Sequence, residues 1–527
     1  MRILVFHGYL LGGTGSNVYN ARLAAAFVAQ GHEVHLLSQD RHAERQSFVD
    51  AVGDWDAGGL RLRDVRERDD AREGRCTVYR PDIGDLLPVY VADRYEGIRA
   101  VRFADCSDAQ IAHYIDANVA AVRELVERVD PEVALANHLV TGPAILARSL
   151  AGRVPYAVKV HGSALEYTVK PERERFLPFA REGLAGSGGV LVGSHHTATS
   201  LWRAMDDESV ERRTRLGPPG VDVERFTPRE PSEAAVGLAA LASRLQQGGA
   251  AQDAQAGGDA FARDERAAGD ALARLDPAHD RLVAFVGKLI VSKGVDLLLA
   301  AWPLVLRDVP EARLVVVGFG AYREGFESLL AALADGDMAQ AEQIALAGRS
   351  LEDRASEPRP LGHLLAFLKG LADQGMEEYL AAASTLRDRV VLTGRLDHEE
   401  LADLLPACEA MVVPSTFPEA FGMVAAEAAA CGVLPVSAAH SGLAEVSDAL
   451  AAAVPEQIAS MLSFPVDDSS VRALAGCVVG WLEADPQARA QARHGLVETV
   501  RERWSWDGVA RGVIAAARGE LDDLQKP

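Results

Sequence analysis

The chain has 527 residues and a mass of 56.2 kDa, with 54 Lys and Arg against 76 Asp and Glu, which gives a formal net charge of −22. Domains usually contain about 100–200 residues, so this length indicates two or three domains with sizeable cores. Hydrophobic residues make up 48% and charged residues 25% of the chain, which excludes a disordered, fibrous or small disulfide-rich protein. The acidic balance argues against non-specific binding to nucleic acid or anionic lipid, because both require a basic surface.

The five cysteines form no CxxC pair and have no metal-ligand spacing. This usage is typical of free thiols in a reducing compartment. The sequence contains no run that approaches the roughly 20 apolar residues needed to span a bilayer. The first residues run from an apolar segment into a glycine loop without a secretory pattern. We therefore expect a cytoplasmic protein with no integral membrane segment.

Short apolar runs rich in β-branched residues alternate with helical patterns in the first part of the chain, which indicates a parallel sheet covered by helices. The first strand is followed by a glycine-rich turn, a helix and a second strand, which together form one βαβ unit. The predicted strands of this series are 3–6, 34–37, 133–136, 156–160 and 190–192.

A second series of the same kind has predicted strands at 282–286, 314–317, 390–392, 411–413 and 434–436. The Pro- and Gly-rich segment 216–221 separates the two series and marks a boundary. The predicted fold class is therefore α/β, with two Rossmann-like domains facing each other across a cleft. The predicted domains are 1–215 and 216–504, followed by a last helix within 505–527 that either returns to the N-terminal domain or docks elsewhere.

Three segments interrupt these series. Residues 41–110 are charged and predict an irregular insertion, and residues 234–275, with 15 alanines among 42 positions, predict a mobile helical or disordered excursion. Residues 321–389 predict a helical insertion whose leucines at 361, 364, 365, 368 and 371 form one apolar stripe. We expect this stripe to pack on its own domain, with a subunit or acceptor contact as the alternative.

The glycine-rich loop after the first strand contains Gly12, Gly13 and Gly15, followed by Ser16 and Asn17. Glycines let the backbone approach a ligand closely, and the following helix directs free N–H groups toward negative charge. The spacing does not match the GxGxxG dinucleotide fingerprint, and no acidic residue ends the second strand. A plain tight turn remains the alternative.

Two lysines, Lys288 and Lys293, follow the strand that opens the second series, and Gly294 comes directly after them. Ligands bind beyond the carboxyl ends of strands in α/β sheets. Cations at this position suit a diphosphate leaving group, because they stabilise the charge that develops on it. Solvated surface lysines are the alternative.

The most specific segment runs from Pro418 to Glu427 and contains two glutamates eight residues apart. If both lay on one helix, about 12 Å along the axis would separate them, which is more than the about 5–9.5 Å of glycosidase carboxylate pairs. Glu419 and Glu427 should therefore hold two parts of one extended ligand, such as a sugar and a ribose. Two solvated glutamates would fit poorly, because Glu427 lies in an apolar stretch.

In combination these segments resemble the family 4 retaining glycosyltransferases, which have the GT-B fold. The resemblance rests on Gly12-Gly13 with Asn17-Val18-Tyr19, on 219–226, on Lys288 with Lys293-Gly294, on 419–432 and on 441–446. It covers both ends of the chain and most strands, and the Asn-Val-Tyr opening is most similar to the sucrose-phosphate synthase and mycothiol glycosyltransferase side of the family.

The resemblance implies a hexosyltransferase-type enzyme (EC class 2.4) that uses a nucleotide-diphosphate sugar and no cofactor. It implies catalytic roles for His161, Glu419 and Lys293 and places His138 on the acceptor side. The donor-binding residues that it implies are Gly12, Gly13, Lys288, Lys293, Glu427 and the backbone of Phe421, Gly422, Met423 and Val424. The family usually has arginine where this chain has Lys288, so bidentate phosphate binding is lost there.

Two Asp-x-Asp patterns, at 54–56 and 335–337, lie in the insertions rather than at strand ends, so we expect no catalytic metal. The long insertions depart from the compact family pattern and are expected to reshape the acceptor site. The acceptor is expected to be a sugar, a small molecule or a lipid-linked molecule, with no nucleic acid partner, and a homo-oligomer stays open. The alternatives are a nucleotide-sugar epimerase or phosphorylase on the same fold and a non-catalytic nucleotide-sugar-binding protein. The nucleotide base and the sugar are not determined by the sequence.

Overall fold

The computed structural model describes residues 1–12, 15–56, 59–66, 73–90, 98–248, 263–352, 358–373 and 375–527. These residues form two compact units, one comprising Met1–Gly220 with Trp504–Pro527 and the other comprising Val221–Arg503. Each unit has its own mainly parallel sheet with helices between the strands. The predicted α/β class with two Rossmann-like sheets is confirmed.

The first unit contains a nine-stranded sheet and a separate parallel strand pair. The strands are β1 (Arg2–Phe6), β2 (Glu33–Leu37), β3 (Ala51–Asp56), β4 (Gly59–Asp64), β5 (Arg75–Arg80), β6 (Leu86–Val89), β7 (Arg99–Arg102), β8 (Val133–Asn137), β9 (Tyr156–Lys159), β10 (Gly189–Val192) and β11 (Thr214–Leu216). The sheet order is β11-β10-β9-β8-β1-β2-β5-β3-β4, and all of its pairings are parallel except that of β3 with β4. The carboxyl ends of the parallel strands therefore lie along one edge of the sheet.

Helices connect these strands and cover the sheet. They are α1 (Gly15–Ala29), α2 (Asp108–Val129), α3 (Gly142–Leu150), α4 (Gly162–Ala164), α5 (Arg173–Ala185), α6 (His195–Met205) and α7 (Glu208–Arg213). The central strand β1 pairs with β2 and β8 on its two sides, and its Ile3, Leu4, Val5 and Phe6 are all buried. A strand buried on both faces appears in the sequence as a continuous apolar run, which is why β1 was predictable.

The second unit has a six-stranded, all-parallel sheet. Its strands are β12 (Arg281–Val286), β13 (Ala312–Val317), β14 (Val390–Gly394), β15 (Ala410–Val413), β16 (Leu434–Ala438) and β17 (Ser463–Phe464), in the order β14-β13-β12-β15-β16-β17. Its helices are α8 (Pro231–Gln247), α9 (Glu265–Leu272), α10 (Val295–Asp308), α11 (Arg323–Ala334), α12 (Met338–Ala347), α13 (Gly362–Asp373), α14 (Met376–Ala383), α15 (Leu386–Arg389), α16 (His398–Leu404), α17 (Met423–Ala430), α18 (Ser441–Ala451), α19 (Glu456–Ala459), α20 (Ser470–Glu483) and α21 (Pro486–Arg503).

The last helix, α22 (Trp506–Arg518), belongs to the first unit and packs against α1 and strands β8 to β10. Its Trp506 ring lies 5.5 Å from the ring of Tyr19, and a side chain at Gly220 would collide with this indole. Beyond the helix, the carbonyl oxygen of Gln525 accepts a hydrogen bond of 2.7 Å from the backbone N–H of Leu216. The C-terminal segment thus completes the core of the first unit.

The prediction of an irregular insertion at 41–110 was wrong. Strands β3, β4 and β5 extend the first sheet, and β6 and β7 form the separate pair. Val52, Cys76 and Val78 are buried, whereas the edge strand β4 exposes its charged residues. Charged side chains on the exposed faces of these strands hid the apolar alternation that identifies a strand.

The other two insertions are helical where the structure describes them. Helices α8 and α9 precede and follow residues 249–262 in the chain, and the two helices pack against each other. Residues 249–262 lie outside the described residues, so the predicted mobile excursion is not tested there. In α13 the side chains of Leu364, Leu368 and Leu371 are buried. The apolar stripe therefore packs within its own unit, as expected. All five cysteines are free thiols, and no helix among the described residues is both long and apolar enough to cross a bilayer.

Two helical glycines of the second unit provide a matched test of its packing. A methyl group at Gly476 would meet no atom within 4 Å, whereas at Gly495 it would lie 2.0 Å from the carbonyl oxygen of Ala453. We expect Gly476→Ala to raise the free energy of unfolding by about 0.5–1 kcal/mol, and Gly495→Ala to lower it by about 1–3 kcal/mol through overpacking. Urea denaturation measures both, and equal effects of the two substitutions would contradict the described packing.

Candidate functional site

In the first unit, a buried histidine holds the loop between β1 and α1. His7 Nε2 lies 2.9 Å from the carbonyl oxygen of Leu10 and 3.0 Å from Asn17 Oδ1, and its Nδ1 lies 3.0 Å from Asn20 Nδ2. Asn17 Nδ2 also donates to the carbonyl oxygen of Gly12 at 2.7 Å. The glycine loop is therefore braced by a side-chain network. The sequence analysis used Asn17 but missed His7 and Asn20, whose only signal was their polarity inside apolar surroundings.

Burial lowers the pKa of His7 to about 4, although its hydrogen bonds to Asn17 and Leu10 oppose this shift. The imidazole is thus neutral at physiological pH. Since Asn20 Nδ2 donates to Nδ1, the ring proton lies on Nε2 and points at two oxygen atoms. Gly12 is exposed at the end of this braced loop. Gly13, the second predicted glycine, lies outside the described residues.

His161 follows β9 and stands before the first turn of α4. Its Nε2 lies 3.0 Å from Asn137 Oδ1, and Asn137 Nδ2 donates in turn to the carbonyl oxygen of Phe6. This orientation of the amide assigns the ring proton to Nε2 and leaves Nδ1 as an acceptor. Burial, reinforced by neighbouring His138 and Lys159, lowers the pKa of His161 well below its ordinary value. His161 therefore offers a neutral, oriented imidazole.

His138, the predicted acceptor-side residue, has a left-handed backbone with φ of 68° and is buried. Its ring centroid lies 4.8 Å from that of His161 and 4.6 Å from that of Tyr90. Among the described residues, none provides a hydrogen-bond partner for either of its ring nitrogens. Burial and the neighbouring His7 lower its pKa well below the ordinary value. The structure thus brings His7, His138 and His161 into one cluster of neutral imidazoles.

A buried lysine beside this cluster was missed by the sequence analysis. Lys159 is 2% exposed, and its Nζ donates to the carbonyl oxygen of Gly217 at 2.5 Å and lies 5.4 Å from the ring centre of Tyr19. Burial lowers its pKa to about 7. Its signal in the sequence was a lysine within an otherwise apolar strand, two residues before His161. Lys159 can therefore exchange its charge near neutral pH.

In the second unit, Lys293 lies in the loop between β12 and α10 and forms an ion pair with Glu419. Ser415 Oγ donates to the same carboxylate oxygen of Glu419 at 2.6 Å. The backbone N–H of Glu419 donates to Ser441 Oγ at 2.9 Å, and His440 Nε2 lies 2.7 Å from the carbonyl oxygen of Ser415. Two predicted site residues are therefore brought together in one network. Ser415 and His440 are additions that the sequence did not reveal, and Ser441, the first residue of the 441–446 segment, had no predicted role.

The loop between β12 and α10, which contains Lys288 and Lys293 and is called the lysine loop below, passes close to the end of β15. Gly294 has a φ of 65°, and a side chain there would lie 1.9 Å from the carbonyl oxygen of Pro414. Only glycine satisfies both requirements. Lys288, the other predicted lysine of this loop, is exposed at the end of β12.

Glu427 is held by a histidine that the sequence analysis did not select. It lies within α17, is 3% exposed, and its Oε1 lies 2.6 Å from Nε2 of His398, the first residue of α16. The imidazole of His398 also packs against the ring of Phe226, with a centroid distance of 4.9 Å. No spacing rule relates positions 398 and 427, so the contact between His398 and Glu427 could not be predicted from the sequence.

Two insertions supply residues that hold the loops of the second unit. Arg263, which follows α8 and the undescribed stretch, donates to Glu400 at 2.8 Å and lies 2.9 Å from Asp397 Oδ2. These two carboxylates form the capping box at the start of α16, next to His398. Glu352, from the 321–389 insertion, accepts a hydrogen bond from the backbone N–H of Val291 in the lysine loop. The insertion 234–275 therefore contacts the start of α16 beside His398, and the insertion 321–389 contacts the loop that carries Lys293.

The remaining predicted residues surround the first turn of α17. Gly422 is its N-cap and Met423 its first residue, so Glu419 precedes the helix and Glu427 lies within it. The first-turn N–H groups of a helix have no partner inside the helix and can bind an anion. Phe421, Met423 and Val424 are half-buried at this position. The geometry brings the first-turn amides of α17, Glu419 and Lys293 into one region of the second unit.

The Asp-x-Asp patterns have structural roles. Asp54 pairs with Arg80 and Asp56 with Arg61, each at 2.7 Å. Asp335 pairs with Arg387 at 2.7 Å, and Asp337 caps the N-terminus of α12. Within the part of the chain that the structure describes, no group of three or more His, Cys, Asp or Glu side chains has the arrangement of a metal site.

Two models of known families match this chain. The family described as Glycosyl transferase 4-like domain matches residues 14–220, and that described as Glycosyl transferases group 1 matches residues 364–455. The first matched region contains Asn17, His138 and His161, and the second contains the Glu419–Glu427 segment.

Among curated proteins, the D-inositol 3-phosphate glycosyltransferase of Segniliparus rotundus is 31% identical over 247 residues, or 47% of this chain and 41% of that protein. The protein of the same name from Xylanimonas cellulosilytica is 27% identical over 357 residues, or 68% of this chain and 63% of that protein. The matched regions therefore span less than two thirds of the length of either relative.

Among solved structures, sucrose-phosphate synthase from Thermosynechococcus elongatus has a TM-score of 0.55 at 19% identity and covers 99% of both chains. Anabaena HepE in complex with UDP and glucose has a TM-score of 0.55 at 16% identity and covers 99% of this chain and 100% of that one. The fold is thus that of the GT-B proteins. Two glycosyltransferase family models thus match separate parts of the chain, in agreement with its resemblance to the family 4 glycosyltransferases.

The histidine cluster predicts how stability depends on pH. An unfolded chain protonates His7 near 6.5, but the folded chain does so only near 4, so the unfolded state binds more protons between these values. The free energy of unfolding should therefore fall as the pH is lowered through this window, by up to about 3 kcal/mol for His7. His138 and His161, whose pKa values are also lowered, act in the same direction.

Chemical denaturation of the protein and its His7→Gln variant between about pH 7 and about pH 4 measures this effect. The variant should have the shallower pH dependence, and the exposed His494→Gln variant serves as the control. A His7→Gln profile that parallels the unmodified protein would contradict the assignment.

Proposed function

We propose that this protein is a retaining glycosyltransferase that moves a sugar from a nucleotide-diphosphate sugar to an acceptor hydroxyl without a metal ion or another cofactor. The observation that carries the proposal is that Glu419, paired with Lys293, precedes α17 and that Glu427 lies within this helix, held by His398. The lysine loop and the 419–427 segment thereby offer a cation, helix amides and two separately held carboxylates. These groups suit the phosphates, the sugar and the ribose of one extended donor.

The phosphates are assigned to the cationic part of this region. Lys293 and Lys288 neutralise the diphosphate, and the backbone N–H groups from Phe421 to Val424 bind phosphate and sugar hydroxyls. Solved structures of Anabaena HepE, which has the same fold, are described in complex with UDP and with UDP-glucose. We propose a donor of the same chemical class for this chain.

The two glutamates have different roles in this proposal. Glu427, oriented by His398, accepts hydrogen bonds from the ribose hydroxyls, and Glu419 contacts the transferred sugar. The Glu419 carboxylate already accepts from Lys293 and Ser415, so it serves as an oriented acceptor rather than a free nucleophile. Retention then proceeds on one face of the sugar. The bond from the anomeric carbon to the phosphate oxygen breaks, the acceptor oxygen bonds to that carbon, and its proton passes to the leaving phosphate.

His161, a residue of the first unit, is assigned a neutral hydrogen-bonding role in this proposal. Because its proton lies on Nε2 and is directed to Asn137, Nδ1 can accept a hydrogen bond from a hydroxyl of the transferred sugar. A neutral ring orients a hydroxyl without adding a charge. We assign a positioning contact on the sugar to His161 and the acceptor side to His138.

The donor class is tested by thermal unfolding with UDP, GDP, ADP and TDP, each with magnesium and with EDTA. A ligand that binds only the folded chain stabilises it by about 2.7 kcal/mol at about 100-fold excess over its Kd. We expect one nucleotide to stabilise the protein strongly, and equally with EDTA. Stabilisation that requires magnesium would contradict the metal-free proposal, and no stabilisation by any nucleotide would contradict the donor site.

With that nucleotide sugar, Lys293→Ala and Glu427→Ala should each lower kcat/KM for transfer by about 10²–10³-fold, since each removes a contact to the donor. Lys369→Ala and Glu483→Gln, two exposed positions of the same unit, are the matched controls. Thermal unfolding without ligand monitors folding. Unchanged transfer in both site variants would overturn the proposed function.

His398 provides a separate prediction about donor affinity. His398→Ala removes the hydrogen bond to the buried Glu427 carboxylate, and a hydrogen bond to a charged group contributes about 1.5–3 kcal/mol. We expect the Kd of the stabilising nucleotide to rise about tenfold or more. Calorimetric titration measures it, with the exposed His279→Ala as the control. An unchanged Kd would show that Glu427 is oriented without His398.

A further inference from the structure

The first unit contains a cavity of about 370 Å³ that the functional assignments do not use. It lies at the carboxyl ends of three neighbouring strands, since Gln39 follows β2, Arg80 ends β5, and Asp54 and Trp55 are near the end of β3. Strands β2, β5 and β3 are mutually parallel, so these ends lie on one edge of the sheet. This is the edge at which α/β sheets bind ligands.

The cavity is connected to the glycine loop through three consecutive residues after β2. Ser38 Oγ donates to the carbonyl oxygen of Tyr9 at 2.5 Å, and the backbone N–H of Leu11 donates to Asp40 Oδ2 at 2.9 Å. Gln39, between these two residues, lines the cavity. The segment that lines the cavity therefore also holds the loop that leads to Gly12.

The lining combines a fixed aromatic ring with a pair of opposite charges. Trp55 is half-buried, and its Nε1 donates to Glu124 Oε2 at 2.7 Å, which fixes the indole. Beside it, Arg80 Nη2 lies 2.7 Å from Asp54 Oδ1, and these side chains are 33% and 48% exposed. The pair offers N–H donors and carboxylate acceptors next to each other, which matches neighbouring hydroxyl groups on a ring.

The charges of the lining do not favour an anion. Two arginines, Arg41 and Arg80, are balanced by three aspartates, Asp54, Asp82 and Asp85. Asp85 also lies 3.9 Å from Arg99 outside the lining set. A phosphate-binding site needs an excess of cations or several free backbone N–H groups. This cavity instead pairs its cations with carboxylates, and the apolar side chains of Ile83, Leu86 and Ile98 complete its wall.

We infer that this cavity binds an uncharged, polyhydroxylated ring of the acceptor, a neutral sugar or cyclitol. The indole of Trp55 packs against the C–H face of the ring, and the Arg80–Asp54 pair hydrogen-bonds its hydroxyls. The inference rests on the proposed function and adds the class of acceptor. It separates this chain from the two relatives, whose names specify a phosphorylated inositol.

Transfer kinetics test the acceptor class. Initial rates are measured with D-glucose and myo-inositol as neutral acceptors and with glucose 6-phosphate and inositol 3-phosphate as anionic ones. We expect the neutral acceptors to have the higher kcat/KM. Trp55→Ala and Arg80→Gln should raise the acceptor KM about tenfold or more, with unchanged hydrolysis of the donor in the absence of acceptor. Preference for the phosphorylated acceptors, or unchanged acceptor KM in both variants, would overturn the inference.

A binding measurement separates failure of this inference from failure of the proposed function. The full chain is titrated calorimetrically with millimolar myo-inositol and D-glucose, without donor, and compared with Arg80→Gln and the exposed control Arg153→Gln. Binding that is lost only in Arg80→Gln supports the cavity even if no transfer is observed. No binding of either compound to the unmodified protein contradicts the inference, whatever the donor experiments give. Unfolding temperatures establish that the variants are folded.

Discussion

Burial of charge at the carboxyl edges of the two sheets is the constraint on which the arrangement of both units depends. An ionised group removed from water must be paired or must lose its charge. The second unit gives its charged groups partners: Lys293 forms an ion pair with Glu419, and the Glu427 carboxylate is hydrogen-bonded to His398. The first unit neutralises its groups instead: burial lowers the pKa values of His7, His138 and His161. The two edges therefore differ in electrostatic character although both belong to parallel sheets.

This difference suits the division of work in the proposed reaction. A diphosphate carries charge into its site, and Lys293 is already held by Glu419 and the lysine loop, so little side-chain freedom remains to be lost when the phosphates bind. Sugar hydroxyls carry no charge, and neutral imidazoles hydrogen-bond to them without attracting phosphate. Lys159 is intermediate between these two cases, because burial lowers its pKa to about 7 while its Nζ donates to the Gly217 carbonyl and lies near the Tyr19 ring.

The sequence predicted the strands that are buried on both faces, because such strands are continuous apolar runs that the fold cannot expose. It failed for β3, β4 and β5, whose exposed faces carry arginines and aspartates, and two of these strands, β3 and β5, contribute Trp55 and Arg80 to the cavity. Site residues within compact motifs, such as Glu419 and Lys293, were found from local spacing. His398 and Lys159 were not, because their partners are distant in the chain or are backbone atoms, and no local pattern encodes a contact that only the folded sheet creates.

The insertions illustrate why length alone does not determine a role. All three were expected to reshape the acceptor site, but the contacts of two lie with the second unit: Arg263 bonds to the capping box beside His398, and Glu352 to the lysine loop. The guanidinium of Arg263 bonds to carboxylates at a helix terminus, and the carboxylate of Glu352 accepts from a backbone N–H. Both residues therefore position other groups. The segment 41–110 adds strands β3, β4 and β5 to the first sheet and lines the cavity around Trp55 and Arg80. If the family's common core performs the transfer, the insertions 234–275 and 321–389 adjust how firmly the loops that bind the donor are held. The segment 41–110 then provides the surface on which acceptor selectivity can differ from that of the relatives.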